Sequence, residues 1–383
     1  MGYQGKYRRE TSRRPVLKAV ALSTVLVLVA LVGTVFLTYQ HLQGNITKSD
    51  AFAQITGPRP EEGKVVVGAT KPLNVLILGS DTRTGQTDVL GRTPGLSDTT
   101  ILLHLSADRK RAYGISIPRD LMVQRPICKS RDGKTMVPGA SIAQWNEAYA
   151  LGGESCTIAQ FEKMSDLRVD HFVVVDFNGF KAMVDALGGV PVCVPQEVND
   201  PIGRIHLRAG SYEVSGEQAL DYVRVRHYIG TTDTGDIGRM KRQQAFLASM
   251  VNKAVSAGTL FNPVRLVRFL DAGTKSLTTD PDLSHLSALV DLAQQVRGIG
   301  LDKVQFFTVP FTAYAPDPNR LAPAPSAAKL WREIRDDEPL SREFTQDAAK
   351  ASQGEPGTHE GPGKPHKPSP TESAEAAANG LCA

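Results

Sequence analysis

The sequence predicts a layered α/β or α+β sandwich, held outside a membrane by one spanning helix. Three features predict it. Residues 19–39 form an uncharged apolar run behind a basic head, residues 1–18. Residues 72–335 alternate short apolar runs with helical patterns, and about 260 residues suffice to bury one large core. Residues 336–383 are rich in Gly, Pro, Ser and Ala, bury too little to offset their ordering entropy, and are expected to have no fold.

The run 19–39, at about 1.5 Å per helical residue, just crosses a hydrocarbon core of about 30 Å. Lys6, Arg8, Arg9, Arg13, Arg14 and Lys18 precede it, so the N-terminus is expected in the cytoplasm and the remainder outside. A cleaved leader has a shorter apolar core with a small-residue site directly after it. Here Ala51-Phe52-Ala53 comes too late, and the run reads as an uncleaved anchor. Residues 40–71 read as a spacer off the membrane. A formal charge of +4 gives no argument for nucleic acid.

An outside location also sets the redox context. Cys128, Cys156, Cys193 and Cys382 form an even set that fits no zinc spacing and suggests disulfides. Cys128–Cys156 with Cys193–Cys382 is one of three connectivities open to four cysteines.

Within the globular region, residues 74–78, 100–105, 112–117, 171–175, 190–194 and 304–309 read as strands. Pro191 limits the fifth to an edge or a strand start. Helical patterns cover 179–187, 216–222, 239–256 and 284–297. A polar turn at 107–111 predicts an antiparallel hairpin of strands 100–105 and 112–117. If strand 74–78 runs antiparallel to the first, three short sequences share one edge: Gly79–Arg83, Ser97-Asp98-Thr99 and Pro118-Arg119-Asp120.

A fourth segment, 222–244, adds charge. Val223-Arg224-Val225-Arg226 alternates at period two, which on a strand puts both arginines on one face. Asp236 falls at a helix N-cap position, and Arg239 and Gln243 share a helix face one turn apart. With Arg242, the segment offers four arginines, and guanidinium forks match phosphate oxygens bidentately. Asp81 and Asp98, facing at one edge, could hold Mg²⁺ or Mn²⁺ alongside phosphate oxygens. Arg83 and Arg119 would neutralise further charge, with Asp236 or Asp120 as the base for an acceptor hydroxyl: the composition of a phosphoryl-transfer site. The bland reading stands beside it, since Asp-Thr and Pro-Arg-Asp are also ordinary turn chemistry with structural Arg–Asp pairs. Convergence of all four segments favours the site.

His104, His171, His206 and His227 share no metal-ligand spacing and read as structural. No Gly-x-Ser-x-Gly, Walker or Rossmann loop is present. The apolar stretch 172–194 reads as core or as the wall of a greasy channel.

Seven collinear motifs, GSDTR (79–83), SDTTILLHL (97–105), ISIPRDLMV (115–123), NEAYALGG (146–153), VDFNGFKAMVDALGGVPV (175–192), ALDYVRVRH (219–227) and DIGRMKRQQ (236–244), resemble the LytR-CpsA-Psr family, in its actinobacterial form. The resemblance implies a three-layer α/β/α sandwich with a mixed central sheet. It implies an extracytoplasmic phosphotransferase that moves a glycopolymer from a polyprenyl-diphosphate carrier to a peptidoglycan sugar hydroxyl, as in attachment of wall teichoic acid or arabinogalactan. Asp81 and Asp98 match the family's Mg²⁺-associated aspartates. Arg83, Arg119, Arg224, Arg226, Arg239 and Gln243 match its diphosphate-binding set, Asp236 its acceptor-side carboxylate, and 172–194 its polyprenyl tunnel. Two rivals are a silent lipid-diphosphate-binding scaffold and a transcriptional regulator; the head of residues 1–18 is too short to fold into a DNA-binding module.

Overall fold

The computed structural model describes residues 14–63, 70–80, 97–201, 203–225, 235–260, 262–346 and 348–353. It comprises two compact units, 1–44 and 45–383. The first holds most of helix α1 (Arg14–Asn45), whose stretch Leu17–Asn45 is long and apolar enough to cross a membrane. The hydroxyls of Ser23, Thr24, Thr34 and Thr38 donate to carbonyls one turn back, so they carry no unmet hydrogen bond into an apolar medium.

The second unit is built on a mixed eight-stranded sheet in the order β1-β8-β5-β2-β3-β4-β9-β10. Its strands are β1 (Thr47–Lys48), β2 (Leu73–Ser80), β3 (Ser97–Leu105), β4 (Ala112–Ile117), β5 (His171–Asp176), β8 (Leu277–Thr279), β9 (Val304–Thr308) and β10 (Ala349–Lys350); β6 (Val190–Val194) and β7 (Gly210–Val214) pair apart from it. The expected hairpin forms, with Thr100 opposite Ile117, and β2 runs antiparallel to β3, with Ser80 opposite Ser97. β5 lies parallel to β2 and β9 parallel to β4.

Period-two alternation sends β2 and β3 residues to both faces, and each face is covered by helices. On one, Leu76, Leu78, Leu102 and Ile115 pack with Ile158 and Phe161 of α2 (Glu147–Ser165) and Trp331 of α8 (Pro325–Arg335). On the other, Leu105, Val304 and Phe306 meet Ala248 of α5 (Gly235–Val255), while Val75 and Val173 meet Leu289 of α7 (Leu286–Ile299). This is the three-layer α/β/α sandwich. A separate cluster joins β6 and β7 to α3 (Phe177–Ala186) and α4 (Gly216–Arg224), and α6 (Pro263–Ser276) packs along α3. α3 ends at Gly188 and Gly189, whose φ of 79° and 99° are costly for any other residue.

Several expectations are corrected. Residues 223–225 do not make a strand, and Arg226 lies outside the described residues: α4 runs through Arg224, because Ser215 and Gln218 close its first turn and Ala219, Leu220 and Tyr222 bury one helical face. Period-two alternation over four residues lost to that helical stripe. The segment 40–71 is no free spacer. α1 extends to Asn45, β1 joins the main sheet, Ala51 is buried, and Phe52 stacks edge-on to Phe172 at 5.4 Å. Arg59 then forms a fork with buried Glu162 at 2.6 Å and donates to the Val169 carbonyl. Nor does the fold stop at 335. Glu333 accepts from the Ser341 amide and hydroxyl, Phe344 and Ala351 are buried, and β10 pairs with β9. α2, α6 and α8 had no expectation; in α2, Gly153 breaks the helical backbone with φ 63° and interrupts the pattern.

Cys128–Cys156 forms as expected, Cys193 is disulfide-bonded, and Cys382 lies outside the described residues. Of the four histidines singled out from sequence, three are described with partners: His104 bonds Asn74 at 2.8 Å, His171 bonds Asp280 at 3.0 Å, and His206 lies 3.5 Å from Glu197. His227 lies outside the described residues.

Two predictions follow from this packing. Replacing both Cys128 and Cys156 with serine opens a loop of 28 residues' separation. Chemical unfolding should register a loss of about 3–4 kcal/mol; no loss would show the loop is held by packing alone. For His171, burial favours the neutral ring, but the Asp280 carboxylate outweighs it and raises the pKa; burial opposes ionisation of Asp280, whose pKa is nonetheless lowered by His171 and by backbone amides. The histidine's contribution to stability is complete below its unfolded value of about 6.5 and fades as pH rises through the raised folded value. Asp280's contribution holds above about 3.9 and fades as pH falls. The melting-temperature gap between wild type and Asp280→Asn should therefore be wider near pH ~5.5 than near pH ~8.5. A pH-independent gap would refute the pairing.

Candidate functional site

The sheet's topology puts four strand ends at one edge. β2, β4, β5 and β9 run the same way, so Ser80, Ile117, Asp176 and Thr308 finish there, and β3 starts there at Ser97. In open α/β sheets this carboxyl edge is the usual ligand position. Ser80 is in register with both Ser97 and Asp176.

Arg119 leaves the end of β4 and is held from behind. Its Nε donates to Asp120 Oδ2 at 3.1 Å, while Asp120 Oδ1 accepts from Gln144 Nε2 and from Arg320 Nη1, both at 2.6 Å. The backbone is pinned as well: Asn146 N–H donates to the Arg119 carbonyl and Leu321 N–H to that of Asp120. A buried carboxylate serving two guanidiniums and an amide is an anchor for Arg119, and its oxygens are already engaged as acceptors. The expected role of Asp120 as a base does not fit this geometry, in which both its oxygens hold neighbouring side chains. Trp145, fully buried, donates from Nε1 to Thr100 Oγ1 at 2.9 Å and ties this loop to the start of β3.

Arg224 reaches the same edge from the other side. Exposed at the end of α4, it lies over the Phe177 ring at 5.3 Å. Phe177 opens α3 directly after Asp176, which caps that helix by accepting from Gly179 N–H at 2.8 Å. The guanidinium is thus fixed beside the residue that faces Ser80.

α5 closes the site from above. Gln244 Nε2 donates to Thr308 Oγ1 at 2.6 Å, and Thr308 is in register with Ser116 of β4. The helix residues before Gln244 therefore extend over the edge with their N-terminal, electropositive end. Gln243 Nε2 donates to the Val223 carbonyl at 3.1 Å, and Arg242 Nη2 to that of Val225, clasping the end of α4. Arg239 is buried on this first half, while Arg242, only 2% exposed, serves the chain turn and is not open to a ligand. α5 begins at Gly235, so Asp236 belongs to its first turn and not to a cap before Arg239.

Asp81, Arg83 and Arg226 lie outside the described residues, as do the side chains of Asp98 and Asp236. Among the described residues no cluster of three metal-ligating side chains occurs. Gln144, Arg320, Asp176 and Phe177 were not found from sequence; Arg320 is 200 residues from the carboxylate it holds, and no local pattern announces it.

Among the described residues, the sheet face under α5 and α7 is buried at Val75, Ile101 and Leu105 but not throughout. Leu76, Leu78 and Leu102 on the opposite face are fully buried, whereas Ile77, Leu103 and Val175, each with a strand on both sides, stay partly accessible. The stretch 172–194 divides accordingly. Val173 and Val175 look onto the open face, Phe172 and Val174 join the closed core, and Val184 to Val194 fill the α3–α4 cluster.

Similarity to known proteins accords with this geometry. The chain is 32% identical over 257 residues to the probable cell wall biosynthesis protein LcpB of Corynebacterium glutamicum, covering 65% of this chain and 57% of LcpB. It is 30% identical over 256 residues to TagV of Bacillus subtilis, named a polyisoprenyl-teichoic acid–peptidoglycan teichoic acid transferase, covering 64% of this chain and 60% of TagV. It thus spans little more than half of LcpB. A LytR-Csp2A-Psr enzyme from Actinomyces oris shares the fold at a TM-score of 0.57, with 20% identity over 78% of this chain and 98% of that one. The crystal structure of B. subtilis TagV matches at 0.52, with 25% identity over 71% and 99%. The LytR_cpsA_psr family profile matches residues 38–334, most of the sequence, and this protein belongs to that family.

Proposed function

We propose that the protein is a membrane-anchored phosphotransferase that moves a glycopolymer from a polyprenyl-diphosphate carrier to a sugar hydroxyl of peptidoglycan. One observation supports the reading: Arg119 follows the end of β4, Arg224 lies over Phe177 just past the end of β5, and α5 is bonded through Gln244 to the end of β9, so all three elements reach the sheet's carboxyl edge. A diphosphate requires several cations in fixed directions, and its lipid tail requires an adjoining apolar surface. Arg83 and Arg226 would complete the cationic set. The names of LcpB, a cell wall biosynthesis protein, and TagV, a teichoic acid transferase, support this reading, in which the cargo is a wall glycopolymer such as wall teichoic acid or arabinogalactan.

In this reaction the sugar hydroxyl oxygen attacks the glycan-proximal phosphorus. The bond from that phosphorus to the bridging oxygen breaks, its electron pair leaves with polyprenyl phosphate, and a phosphodiester remains. The hydroxyl proton passes to a carboxylate, and Asp236 in the first turn of α5 is our assignment. Arg119 and Arg224 bind and orient the phosphates, and Asp120 keeps Arg119 in line. In sequence Asp81 follows Ser80 and Asp98 follows Ser97, two residues whose backbones pair, and two carboxylates suit a hard divalent ion. Asp81 and Asp98 would hold Mg²⁺ or Mn²⁺, which supplies neutralisation of diphosphate charge when bound. α1 would anchor the enzyme with its basic N-terminus in the cytoplasm.

Mass spectrometry of lipid co-purified with detergent-solubilised protein should find a polyprenyl phosphate or diphosphate; a different lipid class would end the proposal. In a transfer assay with lipid-linked glycopolymer and peptidoglycan, Arg119→Ala should lower kcat/KM by about 10²–10³-fold. Asp120→Asn, acting only through Arg119, should cost about tenfold and leave lipid binding in place. Undiminished transfer in Arg119→Ala would exclude the site. Asp81→Ala should retain lipid and lose transfer, and wild-type transfer there would exclude Asp81 from catalysis.

A further inference from the structure

We infer that the cavity between segment 55–60 and α2 binds the peptide stem of the peptidoglycan acceptor, through the carboxylates that such peptides carry. The cavity has a volume of about 710 Å³, the size of a small-ligand site. Ala159, Glu162, Lys163 and Asp166 line it, at spacings of three and four that put them on one face of α2 and its C-cap. Pro58, Pro60 and Pro126 supply walls with no backbone N–H to satisfy. Cross-ties hold these walls, so the cavity belongs to the fold and is not slack between surface segments. Cys128, just after Pro126, is bonded to Cys156 of α2. Thr56 Oγ1 donates to the Ile127 carbonyl at 2.7 Å, and Arg59 forks onto Glu162.

The charges lining the cavity do not cancel. Glu162 is engaged by Arg59 and by the Val169 N–H at 2.9 Å. Asp166 is answered by Arg335 at 3.2 Å, and the same guanidinium donates to the carbonyls of Ser165 and Asp166 at the electronegative end of α2. Two cationic groups remain. Lys163 is exposed and makes no ion pair among the described residues, and Arg59 Nη1 has no acceptor there. Ammonium and guanidinium donors together suit a carboxylate. Gln124 adds an exposed amide that donates and accepts, as a peptide bond requires. It is passed over in the pairing of Met122–Arg125 with Ala140–Gln144, and such a bulge re-aims a side chain.

The choice of peptide rests on the phosphotransferase reading, in which the acceptor is peptidoglycan, a glycan with short acidic peptides on its sugars. Gln124 is five residues from Arg119 along the chain, a span of at most about 17 Å, and an extended peptide of about five residues covers the same distance. A sugar hydroxyl at the Arg119 edge and its stem in the cavity are therefore compatible in length. Holding the stem orients the acceptor without adding a group to the reacting centre.

The test uses the full chain in detergent and peptide stems released from peptidoglycan by an amidase. Calorimetry should detect binding of the stems, weakened about tenfold by Lys163→Ala and about fivefold by Gln124→Ala. Both side chains are exposed, so unchanged melting temperatures should accompany the loss. No binding, or binding that neither substitution alters, overturns the proposal. Displacement of the stems by inorganic phosphate at equal concentration also overturns it, because the cavity would then be a general anion site. In the transfer assay, glycan strands that keep their peptides should be preferred over peptide-free strands by about tenfold in kcat/KM, and Lys163→Ala should abolish that preference. Transfer to both strands at one rate overturns the stem site and leaves the phosphotransferase reading intact. Stem binding in a chain that transfers nothing does the reverse.

Discussion

Register is the constraint on which this molecule depends. Ser80 faces Ser97 on one side and Asp176 on the other, and Ile117 faces Thr100. Those pairings are set by burial: a slip of one residue would turn Leu76, Leu78 and Leu102 out of the closed core. The hydrophobic core thus fixes which polar residues meet at the carboxyl edge, although none of them takes part in the core.

From that edge outward, each cation is held by something less mobile than itself. Arg119 is aimed by Asp120, which Gln144 and Arg320 hold in turn; Arg224 lies on an aromatic ring; α5 is clasped to the end of α4 by Arg242 and Gln243. A flexible guanidinium loses side-chain entropy when it grips a ligand, and pre-positioning moves that loss from binding to folding. The burial of Asp120 is therefore explained by orientation more than by stability.

The two faces of the sheet are treated differently. α2 and α8 close one completely, while α5 and α7 leave Ile77, Leu103 and Val175 partly accessible on the other. The partly accessible aliphatics therefore lie on one face only, beside the edge that carries Arg119 and Arg224.

Local pattern determined much of this. Runs such as 112–117 and 190–194 have strand composition independent of context, and a polar turn at 107–111 makes the hairpin almost obligatory; from it the meeting of Gly79, Ser97 and Pro118 at one edge was deducible. Local pattern failed where contacts are distant or where two periods compete. Val223–Val225 alternates like a strand yet yields to the helical stripe of Ala219, Leu220 and Tyr222. Residues 46–59 and 336–353 look like linker, yet they are held by Phe172, Glu162 and β9, partners their own composition cannot reveal. The sequence by itself determined the N-terminal apolar helix, the central strands and the residue types of the candidate site. Only tertiary structure decided that Asp120 is an anchor, that Arg242 is inward, and that Asn45 meets α6. Those outcomes depend on side chains up to 229 positions apart, and no local periodicity encodes them.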